Sequence, residues 1–153
     1  MYNIKFSQFI PQPIDKVFAF FARPENLECI TPKNLKFSIK TLSPIRMETG
    51  QVIDYHIKIK GFPVRWRSLI SSYDPPYRFI DEQIRGPYTK WHHTHTFTKE
   101  NGGTKIDDQI EYSMPFGLLG RITHSIWIKK DLEKIFEYRS KTIEKVFRKD
   151  INE

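Results

Sequence analysis

Residues 128–148 read IKKDLEKIFEYRSKTIEKVFR, and this stretch does more than any other to decide the fold. At about 100° per residue, its large apolar side chains fall within about 60° of the direction of Leu132. They are Ile128, Leu132, Ile135, Phe136, Ile143, Val146 and Phe147. The opposite face carries Lys130, Glu133, Lys134, Glu137, Lys141, Glu144 and Arg148. The pattern predicts a long amphipathic helix over about residues 121–149 that buries one face.

Before this helix, apolar residues recur with a period of two. Within residues 35–114, Ile53, Tyr55 and Ile57 alternate with charged and polar residues, which is typical of strands with one buried face. Sequences rich in Gly, Pro and Asn separate about six such strands. These turns are Gly61–Pro63, Asp74–Pro76, Gly86–Pro87 and Asn101–Gly103. The spacing favours an antiparallel meander.

The N-terminal segment completes the order of elements. Residues 2–10 alternate apolar and polar side chains, which predicts a strand that Pro11 ends. Helical spacing follows over residues 14–21, and a second short helix starts at Pro24. We therefore predict an α+β fold in which one curved antiparallel sheet of about six or seven strands wraps around the long C-terminal helix.

Several motifs resemble those of the START-like helix-grip superfamily, also called SRPBCC. They are PIDKVF at 13–18, PENL at 24–27, PPYRF at 75–79, RGPY at 85–88, WHHTHTF at 91–97, PFG at 115–117 and FEYR at 136–139. The resemblance covers essentially the whole chain and points to the polyketide cyclase/dehydrase or ligand-binding branch. It implies a hydrophobic cavity between sheet and long helix that takes lipids, polyketides, hormones or aromatic compounds. A minority of members catalyse cyclisation or dehydration.

The composition fits a single domain spanning residues 1–153. A chain of 153 residues has the length of one domain. The one cysteine, Cys29, excludes an internal disulfide and a cysteine-rich zinc site. The longest apolar run, Val17–Ala22, is far shorter than the roughly 20 residues that cross a bilayer. With no secretion signal at the N-terminus, we expect a cytoplasmic monomer or weak homodimer without integral membrane association.

The charge pattern and the absence of certain motifs limit the classes of function that the sequence supports. The net charge is +7, but no long block of like charges occurs, so nucleic-acid binding is not indicated. The sequence has no Gly-rich phosphate loop, Ser nucleophile elbow or HExxH motif, so kinase, nucleotide-dehydrogenase and serine-hydrolase functions have no support. No cofactor is predicted, and the expected partner is a small hydrophobic molecule.

The dipeptide Asn101-Gly102 is a strong signal for a two-residue hairpin turn. With these residues as the turn, His95 comes opposite Asp108, and the strand phase places His93 and His95 on the buried face. The further pairs are Trp91 with Tyr112, His93 with Ile110 and Phe97 with Ile106. Apolar residues thus face one another, which makes this register self-consistent.

If the preceding hairpin turns near residues 85–88, Asp81 comes opposite His93, so that an acid flanks each histidine. Three interpretations stay open. The residues form an internal hydrogen-bond network, or a polar spot that orients a ligand or moves a proton with His93, His95 or Asp108 as acid or base. The third, an open metal triad, lacks a convincing further ligand, and no metal is predicted.

Arg139 lies near the middle of the apolar stripe of the predicted helix, where a guanidinium must find a partner. It pairs with Asp81 or Asp108, reaches past the helix edge, or clamps an anionic or carbonyl ligand. The residues predicted to line the ligand site are Tyr55, Trp66, Phe79, Asp81, Gln83, Trp91, His93, His95, Phe97, Asp108, Tyr112, Phe116 and Arg139.

Three functions remain in competition. The first is binding of a small hydrophobic ligand in the cavity. The second is a cyclase/dehydrase-like enzyme that uses His93 or His95 as acid or base, with Arg139 or Tyr112 polarising a carbonyl. The third is a peripheral interaction module for membrane or nucleic acid, based on the charge and the apolar loop at 114–120. We also expect the loop at 113–120 to be either a movable gate or a rigid connector.

Overall fold

The computed structural model describes residues 1–149, and for residues 124 and 125 it describes the backbone alone. The strands are β1 (Tyr2–Ile10), β2 (Ser38–Ile39), β3 (Val52–Ile59), β4 (Phe62–Asp74), β5 (Arg78–Arg85), β6 (Lys90–Glu100) and β7 (Gly103–Ser113). The α-helices are α1 (Ile14–Phe21), α2 (Gly117–Thr123) and α3 (Lys129–Lys149). A π-helical turn, His124–Ile128, joins α2 to α3, and 3₁₀ turns cover Pro24–Leu27 and Lys33–Leu35. The strands form one antiparallel sheet in the order β1-β7-β6-β5-β4-β3-β2.

The turn at Asn101 and Gly102 sets the register of the last hairpin. Both residues have positive φ angles, 47° and 75°, as a type I′ turn requires. As a result, His95 pairs with Asp108 across β6 and β7. Between β5 and β6, Asp81 pairs with His93. Both predicted registers are confirmed, and they bring the two histidines and two acids to one place in the sheet.

Helix α3 packs its apolar stripe on the concave face of the sheet. Its buried residues are Leu132, Phe136, Ile143 and Phe147. The ring of Phe136 stacks on that of Phe6 in β1, with centroids 4.2 Å apart. Full burial of one such side chain contributes about 1.5–3 kcal/mol. These contacts fix α3 against β1 and β7, and the predicted helix-grip fold is confirmed.

Irregularities in β4 help to curve the other half of the sheet. Its pairing with β5 shifts register between Arg67 and Ser68 and again between Ile70 and Ser72. Such shifts bend a strand and increase its twist. The curved half, β3 to β5, thereby stands away from α3 and leaves room for a cavity.

Two predicted boundaries are wrong. Helix begins at Gly117, before the expected start near residue 121. The sequence pattern did not show α2, because Leu118, Leu119 and Ile122 face outward and form no core-facing stripe. Residues 35–37 are not strand, and neither are residues 40–51. There the carboxylate of Glu25 accepts hydrogen bonds from the Ser43 hydroxyl at 2.7 Å and the Ile45 amide at 3.0 Å, which replaces ladder pairing.

Candidate functional site

A cavity of about 730 Å³ lies between the curved sheet, α3 and the segment after α1. Small-molecule sites in proteins have volumes of roughly 300–1,000 Å³. Most of its walls are apolar, with the aromatic rings of Tyr55, Trp66 and Trp91 on the sheet side. Eight of the predicted site residues line it: Tyr55, Trp66, Phe79, Asp81, Trp91, His93, His95 and Arg139.

Two of the remaining predicted residues, Gln83 and Phe97, make contacts within the protein instead of facing the cavity. Gln83 donates from Nε2 to the carbonyl oxygen of Tyr88 at 2.7 Å and accepts from the Tyr88 amide at 3.1 Å. Phe97 is buried under α1, where its ring meets that of Phe18 edge to face at 5.1 Å. Neither side chain lines the cavity, so these two predicted positions are wrong.

Tyr112, Phe116 and Asp108 also lie outside the cavity lining. Tyr112 is covered by α3 in a cluster with Leu132, and burial raises the pKa of Tyr112 to about 12. It is therefore not placed to polarise a ligand carbonyl. Phe116 is 82% exposed on the outer surface. Asp108 sits behind the histidines, where it borders a smaller cavity of about 290 Å³.

Sequence reasoning missed one wall of the cavity and one polar group. The missed wall is formed by the chain after α1, including Leu27, Ile30 and Phe37. No periodicity shows where such a short segment will pack. The polar group is Ser68, which accepts a hydrogen bond from the Trp66 indole at 3.1 Å. The sequence does indicate this position of Ser68, because the alternation along β4 places it on the same face as Trp66 and Ile70.

The polar end of the cavity is a four-residue cluster of Asp81, His93, His95 and Asp108, which we call the His-Asp cluster. His93 Nε2 lies 2.8 Å from Asp108 Oδ1, and His95 Nε2 lies 2.7 Å from Asp81 Oδ2. His95 Nδ1 is also only 2.9 Å from Asp108 Oδ1, but it is out of line for a hydrogen bond. His93 Nδ1 lies 3.5 Å from Asp81 Oδ2, so each carboxylate lies between two imidazoles.

The side chains of the His-Asp cluster are packed in a stack of rings. The rings of His93 and His95 have centroids 3.7 Å apart. Phe79 stacks on the other side of His95 at 4.1 Å. The His93 and His95 side chains are only 5% and 8% exposed. Because neighbouring rings fix the imidazoles, their orientation does not depend on a ligand.

The surroundings of His93 and His95 shift their pKa values in opposite directions. Burial and the charge of His95 hold the pKa of His93 below its usual value. Burial also lowers the pKa of His95, but the adjacent carboxylates of Asp108 and Asp81 outweigh this effect, so the pKa of His95 is raised. Burial likewise opposes ionisation of Asp81 and Asp108, yet the imidazoles keep both carboxyl pKa values below their usual range. A proton shared by this pair is therefore held by His95 in preference to His93.

Arg139 reaches the cavity from α3. Its guanidinium carbon lies 4.7 Å from the centre of the Phe136 ring, a cation–π contact. Its Nε atom is buried without a hydrogen-bond partner. Within residues 1–149 no ion pair within 4.0 Å joins Arg139 to a carboxylate, although Asp108 and Asp81 act on it through space. Of the three alternatives for Arg139, the direct salt bridge to Asp81 or Asp108 is therefore not formed.

Asp81, His93 and His95 are a possible metal-binding group, because their donor atoms lie within 4.8 Å of one another. Two ligands about 2.1 Å from a tetrahedral ion stand roughly 3.4 Å apart. His95 Nε2 and Asp81 Oδ2 are 2.7 Å apart, so this pair would have to separate to admit an ion. The observed geometry is that of hydrogen-bonded ion pairs.

The predicted gate lies at the junction of β7 and α2. Gly120 packs against the carbonyl oxygen of Pro115, and an added Cβ atom would come within 2.1 Å of it. The outer surface here is apolar. Its exposed large side chains are Phe116, Leu118, Leu119, Ile122, Ile126 and Trp127. The gate and the interaction-module hypothesis both stay predictions.

Comparison with known proteins supports the fold. No family model and no curated protein matches the sequence. Among solved structures, CV1439 from Chromobacterium violaceum is similar with a TM-score of 0.74 at 13% identity, covering 95% of this chain and 97% of that one. TTHA0849 from Thermus thermophilus has a TM-score of 0.72 at 18% identity, covering 97% and 99%. Ginseng major latex-like protein 151 from Panax ginseng has 0.70 at 13%, covering 95% and 97%.

These similarities establish the helix-grip fold, and the resemblance to the START-like helix-grip superfamily is confirmed at the level of fold. They do not identify a ligand, because identities this low define architecture alone. The polyketide cyclase/dehydrase branch stays a prediction. Within residues 1–149, no helix is long and apolar enough to cross a membrane.

Proposed function

We propose that the protein binds a small hydrophobic molecule in the cavity between the sheet and α3. The observation that carries this proposal is a cavity of about 730 Å³ with mostly apolar walls and one polar end. Transfer of apolar ligand surface from water into such walls contributes about 25 cal/mol per Å² buried. The His-Asp cluster and Arg139 would orient the ligand, since a few convergent polar groups fix its direction.

The experiment is to fill the cavity and measure loss of binding. Ile57 of β3 lines the cavity, while the adjacent His56 is exposed on the outer face of the same strand. We expect Ile57→Trp to weaken binding of the neutral dye Nile red at least tenfold, because the indole occupies ligand volume. The matched control, His56→Trp, adds the same ring outside and should bind like the unmodified protein. Equal binding by both variants contradicts the proposal.

A second candidate is an enzyme of the cyclase/dehydrase kind. It is favoured by one observation: His93 and His95 lie side by side at the cavity wall, with ring centroids 3.7 Å apart, and their surroundings lower the pKa of His93 and raise that of His95. One group could accept a proton and the other donate one. The test is loss of water from a panel of β-hydroxy ketones, followed by mass spectrometry. Turnover that disappears in His95→Ala while Nile red still binds would support the enzyme. No turnover by the unmodified protein would argue against it.

A further inference from the structure

We propose that the ligand carries a carboxylate and that the guanidinium of Arg139 binds it at the polar end of the cavity. This inference rests on the proposed function and adds the chemical class of the ligand. It starts from a cation that the fold holds at the inner face of α3 without a hydrogen-bonding acceptor.

The first observation is the state of Arg139 itself. A guanidinium has five N–H donors and no acceptor. Within residues 1–149, no hydrogen bond or ion pair is formed by these donors, and Nε is fully buried. The contact with the Phe136 ring stabilises the charge but accepts no conventional hydrogen bond. The donors are therefore available to a group that enters the cavity.

The second observation is that the nearby acids are already engaged. Asp81 binds His95 at 2.7 Å, and Asp108 binds His93 at 2.8 Å. Turning either carboxylate toward Arg139 would break one of these buried contacts, which costs roughly 1–3 kcal/mol or more. The histidines and carboxylates of the sheet thus pair with one another. The guanidinium of Arg139 on α3 is left to bind a ligand.

The third observation is the charge balance of the site. In the state with His93 uncharged and His95 protonated, which the directions of their pKa shifts favour, the two carboxylates offset the charges of His95 and Arg139. An incoming carboxylate adds one negative charge, which one proton taken up by His93 would offset. A phosphate carries about −1.5 to −2 at neutral pH, so the same proton would offset only part of it. A carboxylate also accepts two parallel hydrogen bonds from one guanidinium.

The test compares two ligands that differ at one end. Dodecanoate and dodecanol are titrated below their aggregation limits against bound Nile red. Hydrogen bonds to charged groups contribute about 1.5–3 kcal/mol, or roughly 10- to 100-fold in affinity. We expect the unmodified protein to prefer dodecanoate by about that factor. Arg139→Leu should lose the preference while binding dodecanol as before, and Arg139→Lys should keep part of it.

The matched control is Arg148→Leu, which removes an arginine from the exposed side of the same helix, where its side chain is 76% exposed. It should retain the full preference for dodecanoate. If the unmodified protein binds both compounds equally, or if Arg139→Leu keeps the preference, the inference is overturned and the hydrophobic cavity stands. If neither compound nor Nile red binds, the proposed function fails as well. Should Arg139→Leu not fold, the unmodified protein and Arg139→Lys still decide the outcome.

Discussion

The most informative perturbation of the site is Asp108→Asn, which removes one negative charge from the His-Asp cluster and nearly preserves its shape. Asp108 is 12% exposed and lies within 2.8–2.9 Å of His93 Nε2 and His95 Nδ1. Without it, His95 and Arg139 face only one carboxylate, Asp81. Removing one partner of a buried ion pair costs about 3–5 kcal/mol. We expect a loss of that order in the free energy of unfolding at pH 7.

The effect should depend on pH in a defined direction. The pKa of Asp108 is lowered by folding, chiefly by His93 and His95 acting against burial. Its contribution to stability is therefore complete above the unfolded pKa, about 3.9, and is lost as pH falls toward the folded value. The gap between the unmodified protein and Asp108→Asn should accordingly be widest near neutrality and should shrink below about pH 4.

The assay is urea unfolding followed by tryptophan fluorescence, with Asp107→Asn as the matched control. Asp107 is the neighbouring residue of β7, but its side chain is 38% exposed and lies at the surface. There it pairs with Lys105 and accepts a hydrogen bond from the Ser7 hydroxyl, which the amide oxygen of asparagine can also accept. Such a substitution changes stability by about 0.5 kcal/mol or less. The account of the His-Asp cluster is refuted if Asp108→Asn costs no more than Asp107→Asn, or if its effect grows as the pH falls below about 4.

Further predictions concern protonation and the proposed gate. Titration of the imidazole signals by NMR should give a pKa for His95 above about 6.5 and for His93 below it; the reverse order would contradict the assigned charges. Gly120→Ala should destabilise the junction by more than about 1 kcal/mol in thermal unfolding, because the new methyl group meets the Pro115 carbonyl. In hydrogen exchange, residues 113–120 should exchange faster than β6 and slow down with ligand; protection equal to the sheet in both states would rule out gating.

Local patterns predicted the fold because they are strong where the contacts are regular. The Asn101-Gly102 turn admits one pairing in which apolar residues face each other, so it located His95 opposite Asp108. The stripe of α3 likewise singled out Arg139. Both inferences use periods that the backbone imposes.

The sequence could not place features that depend on tertiary packing. Strand phase put Asp108 and Tyr112 on the buried face, but it does not say which buried residues meet the cavity and which meet α3. The sequence of α2 was interpreted as a loop, because its apolar residues face outward and form no stripe toward the core. Nor did any pattern show that the carboxylate of Glu25 would bind residues 43–45.

Native mass spectrometry of the protein with a cell lipid extract tests the central claim, a cavity that binds small hydrophobic molecules. The account predicts discrete adducts of low-molecular-mass compounds on the unmodified protein and on His56→Trp, released by organic solvent. It predicts that Ile57→Trp, with the cavity wall changed, carries little or none. Adducts of equal abundance on all three proteins, or none on the unmodified protein, would contradict it.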